Sequence, residues 1–267
     1  MMRIDLYLYE NGYAESRQKA KVYIEKGFVT VDGRTVSKPS ESVDETVTHN
    51  VTVNNAERYV GRGGYKLEHA LNTFKIDATG KSCIDIGAST GGFTDCLLQC
   101  GAEHVCAVDS GRGQLHPRIA ENVRVTSFEG LNARYITLQD LHQDPFDLAV
   151  MDVSFISQTL IIPGIVNLLK KDAVLVSLIK PQFEAGRDAL NKNGIVKKDT
   201  DRYLAVVKVV SCALQNGFTL DGICTSPITG GDGNIEYLCA LRLTSTSAQP
   251  GTVYIDNLIR KTVFNKA

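Results

Sequence analysis

Two lysines and two acids stand where strands give way to loops or where a helix begins, and together they could take a proton from a hydroxyl. Lys180 ends the apolar run Ala173–Ile179 and is stopped at once by Pro181, and Asp152 follows the run Phe146–Met151. Glu236 lies in the run Ile235–Ala240, and Lys66 in the glycine-started segment Gly63-Gly64-Tyr65-Lys66-Leu67. A lysine beside a buried sheet is costly unless a carboxylate or a substrate meets it. It accepts a proton only when neutral, a state that burial and a nearby like charge favour. Lys180 is therefore the candidate general base, Lys66 the like charge, and Asp152 and Glu236 the acids that orient both amines. The chemistry would be in-line methyl transfer to oxygen, driven mostly by positioning. Singly, each residue has a bland reading: a solvated loop lysine, a lysine snorkelling from a helix, a glutamate on a wet strand face, an aspartate capping a turn. Only their joint placement distinguishes them.

The donor's place is written in residues 83–95, Cys-Ile-Asp-Ile-Gly-Ala-Ser-Thr-Gly-Gly-Phe-Thr-Asp. A short apolar strand runs into a glycine turn and then a helix. Gly87, Gly91 and Gly92 lack Cβ atoms, so the chain can turn sharply and admit a ligand. Ser89 and Thr90 can cap the helix, whose first amides face the same ligand. Asp109 closes the next apolar run, His104–Val108, about 20 residues on, where an acid can take both hydroxyls of a ribose. The dinucleotide fingerprint has glycines at its first, third and sixth positions; here Ser89 holds the third. S-adenosylmethionine suits the spacing better, with Asp152 near its sulfonium. The alternative is an α/β turn whose glycines serve packing only.

These residues need a scaffold. From Arg58 onward helix and strand patterns alternate: helix 63–75, strand 82–86, helix 91–100, strands 104–108 and 123–127, helix 131–134, strand 146–151, helix 158–170, strand 173–179, helix 200–215, strand 218–226 and strand 235–243. Such alternation predicts an α/β domain with a mostly parallel sheet covered on both faces, and the inner strands read as nearly continuous apolar runs. Ligands in such sheets bind beyond the carboxyl ends of the strands, where the four residues above are expected. The first 54 residues read as a separate α+β module: a helix beginning near Met2, a capped helix over 16–26 closed by Gly27, a hairpin about Asp32-Gly33, and a strand over 45–53. Residues 55–61 are the expected linker, 62–245 the second domain, and 246–267 a tail with a helix near 254–264.

Composition narrows the classes. The 267 residues are 43% hydrophobic, and 29 basic residues nearly cancel 30 acidic ones, so any basic surface is local. There is no signal-peptide pattern and no apolar run near the roughly 18 residues that span a bilayer. Seven cysteines without a Cys-x-x-Cys pair fit a reduced, cytoplasmic, soluble protein. Cys96 and Cys100 share a helix face as core residues, not as a metal site; no metal is expected. Arg17, Lys19, Lys21 and Lys26 give the first module a local positive face that phosphates can neutralise, and Arg58 and Arg62 could continue it. The alternative is a solvated helix face.

Read together, these motifs resemble the TlyA family of ribosomal RNA 2′-O-methyltransferases, also labelled hemolysin A-like. Arg3-Ile4-Asp5 through Lys38-Pro39-Ser40, with Ser16-Arg17 and Gly27-Phe28-Val29, resembles an S4 RNA-binding domain. Val60–Leu67 resembles the family's domain-joining motif. Asp85–Asp95 is similar to the donor loop of FtsJ/RrmJ-type enzymes, a Rossmann-like methyltransferase fold; Asp152–Ser157 and Lys180–Glu184 are also typical. The resemblance implies a Lys-Asp-Lys-Glu tetrad at Lys66, Asp152, Lys180 and Glu236. It implies a donor site over Asp85, Gly87, Ala88, Ser89, Thr90, Gly91, Gly92, Phe93, Asp109 and Asp152, and RNA contacts from Arg3, Arg17, Lys19, Lys21, Arg58 and Arg62. The substrate would be ribose, on cytidines of ribosomal RNA or ribosomal subunits. Ser110 and Arg112 depart from the family's usual valine and aromatic residue. Three other classes compete: a membrane-lysing protein, a non-catalytic RNA-binding module, and a pseudouridine synthase, whose chemistry needs a different fold and no methyl donor.

Overall fold

The computed structural model describes residues 1–53, 58–244 and 252–264. It divides into two compact units, Met1–Arg58 and Tyr59–Ala267. Residues 54–57 and 245–251, which hold part of the expected linker and the start of the expected tail, lie outside the described residues, as do 265–267.

In the first unit, helices Ile4–Glu10 and Arg17–Glu25 pack on a three-stranded antiparallel sheet of Val29–Val31, Arg34–Thr35 and Val51–Val53. Ser16 caps the second helix by accepting from the Lys19 amide, and Leu8, Ala20, Ile24 and Val29 are fully buried between the layers. The hairpin turns at Asp32 and Gly33, both with positive φ, as a two-residue loop requires. The strand expected over 45–53 forms only at its end. The Asp44 side chain accepts from Thr46 N and Oγ1, a local turn that competes with strand pairing, and Val47 is exposed.

The second unit is a seven-stranded sheet: β1 (Ser82–Ile86), β2 (His104–Asp109), β3 (Val125–Glu129), β4 (Phe146–Met151), β5 (Leu169–Ile179), β6 (Phe218–Thr225) and β7 (Tyr237–Leu243). Their spatial order is β6-β7-β5-β4-β1-β2-β3, and only β7 runs antiparallel to its neighbours. The strands alternate across the sheet. Ile84, Ile86, Ala149 and Met151 face one core layer with α3 (Asp199–Gln215) and α4 (Thr252–Phe264). Cys83, Leu148 and Val150 face the other, with α1 (Gly63–Phe74) and α2 (Gly92–Gln99). The helix expected at the tail is α4; Ile255, Ile259 and Val263 bury one stripe of it.

One expected helix is broken up and another is absent. Over 158–170 the chain forms three short helical pieces, 3-10 turns at Gln158–Leu160 and Val166–Leu168 flanking the α-helical turn Ile162–Ile165, and enters β5 at Leu169. Over 131–134 the Asn132 side chain accepts from the Arg134 amide, a turn that displaces the helix. A four-residue helix forms instead at Leu138–Leu141, with Thr137 and Asp140 as its capping box.

Candidate active site

The site sits beyond the carboxyl ends of β1, β2, β4 and β5. Gly87 turns out of β1 at φ +86°, and a Cβ there would lie 2.6 Å from the Asp152 carbonyl oxygen, so only glycine lets the loop lie against β4. Gly91 has φ +89° and packs on Leu115 and Ile119. The amides of Gly87 and Ala88 donate to the Val108 carbonyl. Asp109, at the end of β2, accepts from the Ser89 amide at 2.8 Å and the Gly111 amide at 2.7 Å, one on each carboxylate oxygen. Each oxygen keeps a second lone pair for a ligand hydroxyl. Asp85 lies beneath the loop, fully buried, and accepts from Thr94 Oγ1 at 2.7 Å. Burial pushes its carboxyl up to about 7, against the pull of the Thr94 bond.

Above this loop opens a cavity of about 610 Å³ whose lining includes Gly87, Asp109, Gln114, Leu131, Asp152 and Phe155. A smaller one, of about 170 Å³, is lined among others by Gly63, Thr90, Phe93, Ser154 and Lys180. Gly87, Ser89, Asp152 and Ser154 line both. A carboxylate with free lone pairs at one end, loop amides at a helix start, and a second carboxylate between the cavities fit an adenosyl group carrying an amino-acid tail. Of the expected donor residues, Gly87, Ala88, Ser89, Thr90, Gly92, Phe93, Asp109 and Asp152 line these cavities, whereas Asp85 and Gly91 support the loop from behind.

The four candidate reactive residues come together as two ion pairs. Lys180 Nζ lies 2.6 Å from Asp152 Oδ1 and donates to Ser154 Oγ at 2.8 Å. Lys66 Nζ donates to Glu236 Oε2 at 2.5 Å, with both residues buried. The sheet register explains the convergence. Ile179 pairs with Tyr237 in the antiparallel β5–β7 ladder, so one step further the chain sets Lys180 opposite Glu236. Met151 pairs with Ile86, which sets Asp152 beside Gly87. Lys66 stands one helical turn after Gly63 on α1. The two acids thus hold the two lysines one to one. Lys180 and Asp152 face the cavities, while Lys66 and Glu236 form a buried brace behind them.

Sequence reading assigned no role to three residues here. Phe155 has φ +64° and is 91% exposed at the cavity mouth, its ring 5.0 Å from that of Phe183. Glu184, buried, accepts from Ser157 Oγ at 2.6 Å and the Gln158 amide at 2.7 Å, fastening the loop after β4 to the segment after β5. Ser154 touches Lys180 directly. The motifs Asp152–Ser157 and Lys180–Glu184 were visible, but not that they stitch to each other.

Among the expected RNA contacts, Arg3 and Arg17 both pair with Asp5 at 3.0 Å, and the Asp5 side chain is wholly out of solvent. Burial alone would push Asp5 up, but hydrogen bonds from the two guanidiniums outweigh it and hold the carboxyl below the usual range. These arginines are thus half structural, with nearly half of each side chain still exposed. Lys19 and Lys21 are half-buried on the second helix, and Arg58 and Arg62 are exposed. Cys96 is buried and Cys100 half-buried, and no group of three or more potential metal ligands occurs among the described residues.

Comparison with known proteins agrees with this geometry. Residues 59–243 match the FtsJ-like methyltransferase family and residues 2–48 the S4 domain. The chain is 39% identical to the 16S/23S rRNA (cytidine-2′-O)-methyltransferase TlyA of Mycobacterium tuberculosis, over 92% of this chain and 91% of that protein. It is 43% identical to Hemolysin A of Brachyspira hyodysenteriae, over 89% and 98%. A solved structure from Streptococcus thermophilus, provisionally called a hemolysin, superposes with a TM-score of 0.73 at 38% identity, covering 98% of this chain and 95% of that one.

Proposed function

The chain belongs to the TlyA family of FtsJ-like methyltransferases, with an S4 domain at residues 2–48, and from that premise we propose that it methylates ribose 2′-hydroxyls of ribosomal RNA, with cytidine as the nucleoside. The observation that carries this reading is the Lys180–Asp152 pair at the border of the two cavities, under a glycine loop closed by Asp109. S-adenosylmethionine, when bound, supplies an electrophilic methyl on a sulfonium. Asp109 holds the ribose hydroxyls of that donor, and the helix start at Gly92, which lines the smaller cavity, faces its carboxylate. Lys180 Nζ accepts the proton of the attacking 2′-hydroxyl, and Asp152 keeps the amine in place. The Lys66–Glu236 pair fills the space behind with matched charge, so no stray cation or anion disturbs the reacting groups. Phe155 offers an exposed aromatic face on which a nucleobase can stack. In the first unit Arg17, Lys19, Lys21 and Lys26 meet RNA phosphates.

Transfer of tritiated methyl from labelled donor to ribosomal RNA or subunits tests the reading. Active wild type with Lys180→Ala inactive, both binding donor alike, is the expected outcome; substantial residual transfer by Lys180→Ala removes it from the base role. A second reading is a membrane-lysing protein, favoured only by the names of some relatives. No helix among the described residues is long and apolar enough to cross a membrane, and liposome leakage by purified protein without donor is the result that would revive it.

A further inference from the structure

We propose that Ser154 is a positioning residue for Lys180, setting the direction in which the amine presents its lone pair; this rests on the reading of Lys180 as general base. A neutral lysine amine has two N–H bonds and one lone pair in a tetrahedral arrangement. Asp152 Oδ1 lies 2.6 Å from Nζ as an ion pair without accepting a hydrogen bond, so it holds the amine by charge and sets no direction. With that contact alone the amine still turns about the Cε–Nζ bond and offers its lone pair to more than one direction. Ser154 Oγ, at 2.8 Å, accepts one N–H and supplies the directional bond. That bond restricts the rotation of the amine, whose remaining positions serve the 170 Å³ cavity that Lys180 lines with Gly63, Thr90 and Phe93.

The same arrangement serves after proton transfer. The 2′-hydroxyl proton moves to Nζ, making an ammonium with three N–H bonds. One remains on Ser154, Asp152 Oδ1 lies beside the new positive charge, and the N–H just formed points along the path by which the proton arrived. The Ser154 bond does not have to break, because its hydroxyl oxygen acts as acceptor throughout. Reorganisation that would otherwise accompany the transfer is avoided.

Ser154 is held to this duty from both sides. The next residue, Phe155, has φ +64°, a conformation that bulky residues seldom take and that persists only where the surroundings enforce it. The enforcing contacts are the Phe155–Phe183 ring pair and the bonds from Ser157 and Gln158 to the buried Glu184. They pull the loop after β4 onto the segment that begins with Lys180. Ser154 itself is exposed, so a hydroxyl is not required there by burial, and a threonine methyl has room.

Single-turnover methyl transfer, donor affinity by calorimetry and thermal melting would be measured on full-length wild type, Ser154→Ala, Ser154→Thr and Lys180→Ala. The expected pattern is a 10- to 100-fold slower transfer step in Ser154→Ala, donor affinity within twofold and an unchanged melting temperature, with most of the rate restored in Ser154→Thr. A rate within twofold of wild type in Ser154→Ala overturns the proposal. So does a loss matched by weaker donor binding or a lower melting temperature and not restored by threonine, which is the mark of a merely structural serine. Lys180→Ala separates the two levels. If it remains active, the base reading itself fails; if it is dead while Ser154→Ala behaves as wild type, only the role of Ser154 is lost.

Discussion

Lys66 and Glu236, 170 positions apart in the chain, meet at 2.5 Å with their side chains 9% and 2% exposed. A pair so far from water is expensive to form, and far more so to break from one side. Glu236→Leu leaves a buried ammonium without its counter-charge and is expected to destabilise the protein by about 3–5 kcal/mol. The double variant Lys66→Met/Glu236→Leu removes both charges and should recover most of that loss in urea denaturation while remaining inactive in methyl transfer. A single variant as stable as wild type would show that the brace is not closed to solvent.

Asp109 braces two loop amides and is proposed to hold the donor's ribose. Asp109→Ala therefore loses charge-assisted bonds worth about 1.5–3 kcal/mol each. Donor affinity by calorimetry should fall at least tenfold, which is about 1.4 kcal/mol. Affinity within twofold of wild type would place the ribose elsewhere in the cavity.

Asp85 makes stability depend on pH in a direction unusual for a carboxylate. Burial raises its folded value to about 7, against about 3.9 in an unfolded chain. Between those values the folded state holds the proton and the unfolded state does not, so stability falls as pH rises from about 4 to about 7. Asp85→Asn keeps an acceptor for Thr94 and removes the titration. Its melting temperature should decline less than that of wild type across this window, and identical slopes would mean that Asp85 is ionised in the fold.

His49 works in the opposite part of the pH scale, in the first unit. Nδ1 lies 2.7 Å from Asp32 Oδ2 and Nε2 2.9 Å from the Asp44 carbonyl oxygen. Both partners accept, so the ring donates from both nitrogens as an imidazolium, and the Asp32 bond, followed by the Asp44 bond, raises its titration point. The contribution is complete below about 6.5 and is lost as pH rises through the raised folded value. Hydrogen exchange of the 44–50 segment, corrected for intrinsic rate, should lose protection on passing from pH 6 to pH 9. His49→Ala should show low protection at both values, and equal protection in wild type at both would disprove the latch.

How much of this was legible before the fold depends on sequence distance. The glycine loop, its helix and Asp109 lie within 25 consecutive positions, so local rules of turn, cap and strand spacing were enough to read them. The Asp32-Gly33 hairpin was local in the same way. The helix expected at 131–134 is missing because Asn132 turns the backbone, and the one at 158–170 is divided into three short helical pieces, details that apolar periodicity does not weigh. Arg3 and Arg17 looked like free cations because nothing near them in the chain reveals that Asp5 is buried.

By itself the sequence determined which residues are able to act: a glycine-rich loop, an acid at ribose distance, and two amines and two carboxylates at strand ends or a helix start. Only the tertiary structure decided who partners whom. That choice follows from the insertion of antiparallel β7 between β5 and β6, which brings Glu236 level with Lys180 yet delivers it to Lys66, and leaves Lys180 to Asp152 and Ser154. Strand order is set by the packing of whole apolar faces against one another, a balance summed over the entire sheet, and no short window of residues contains it.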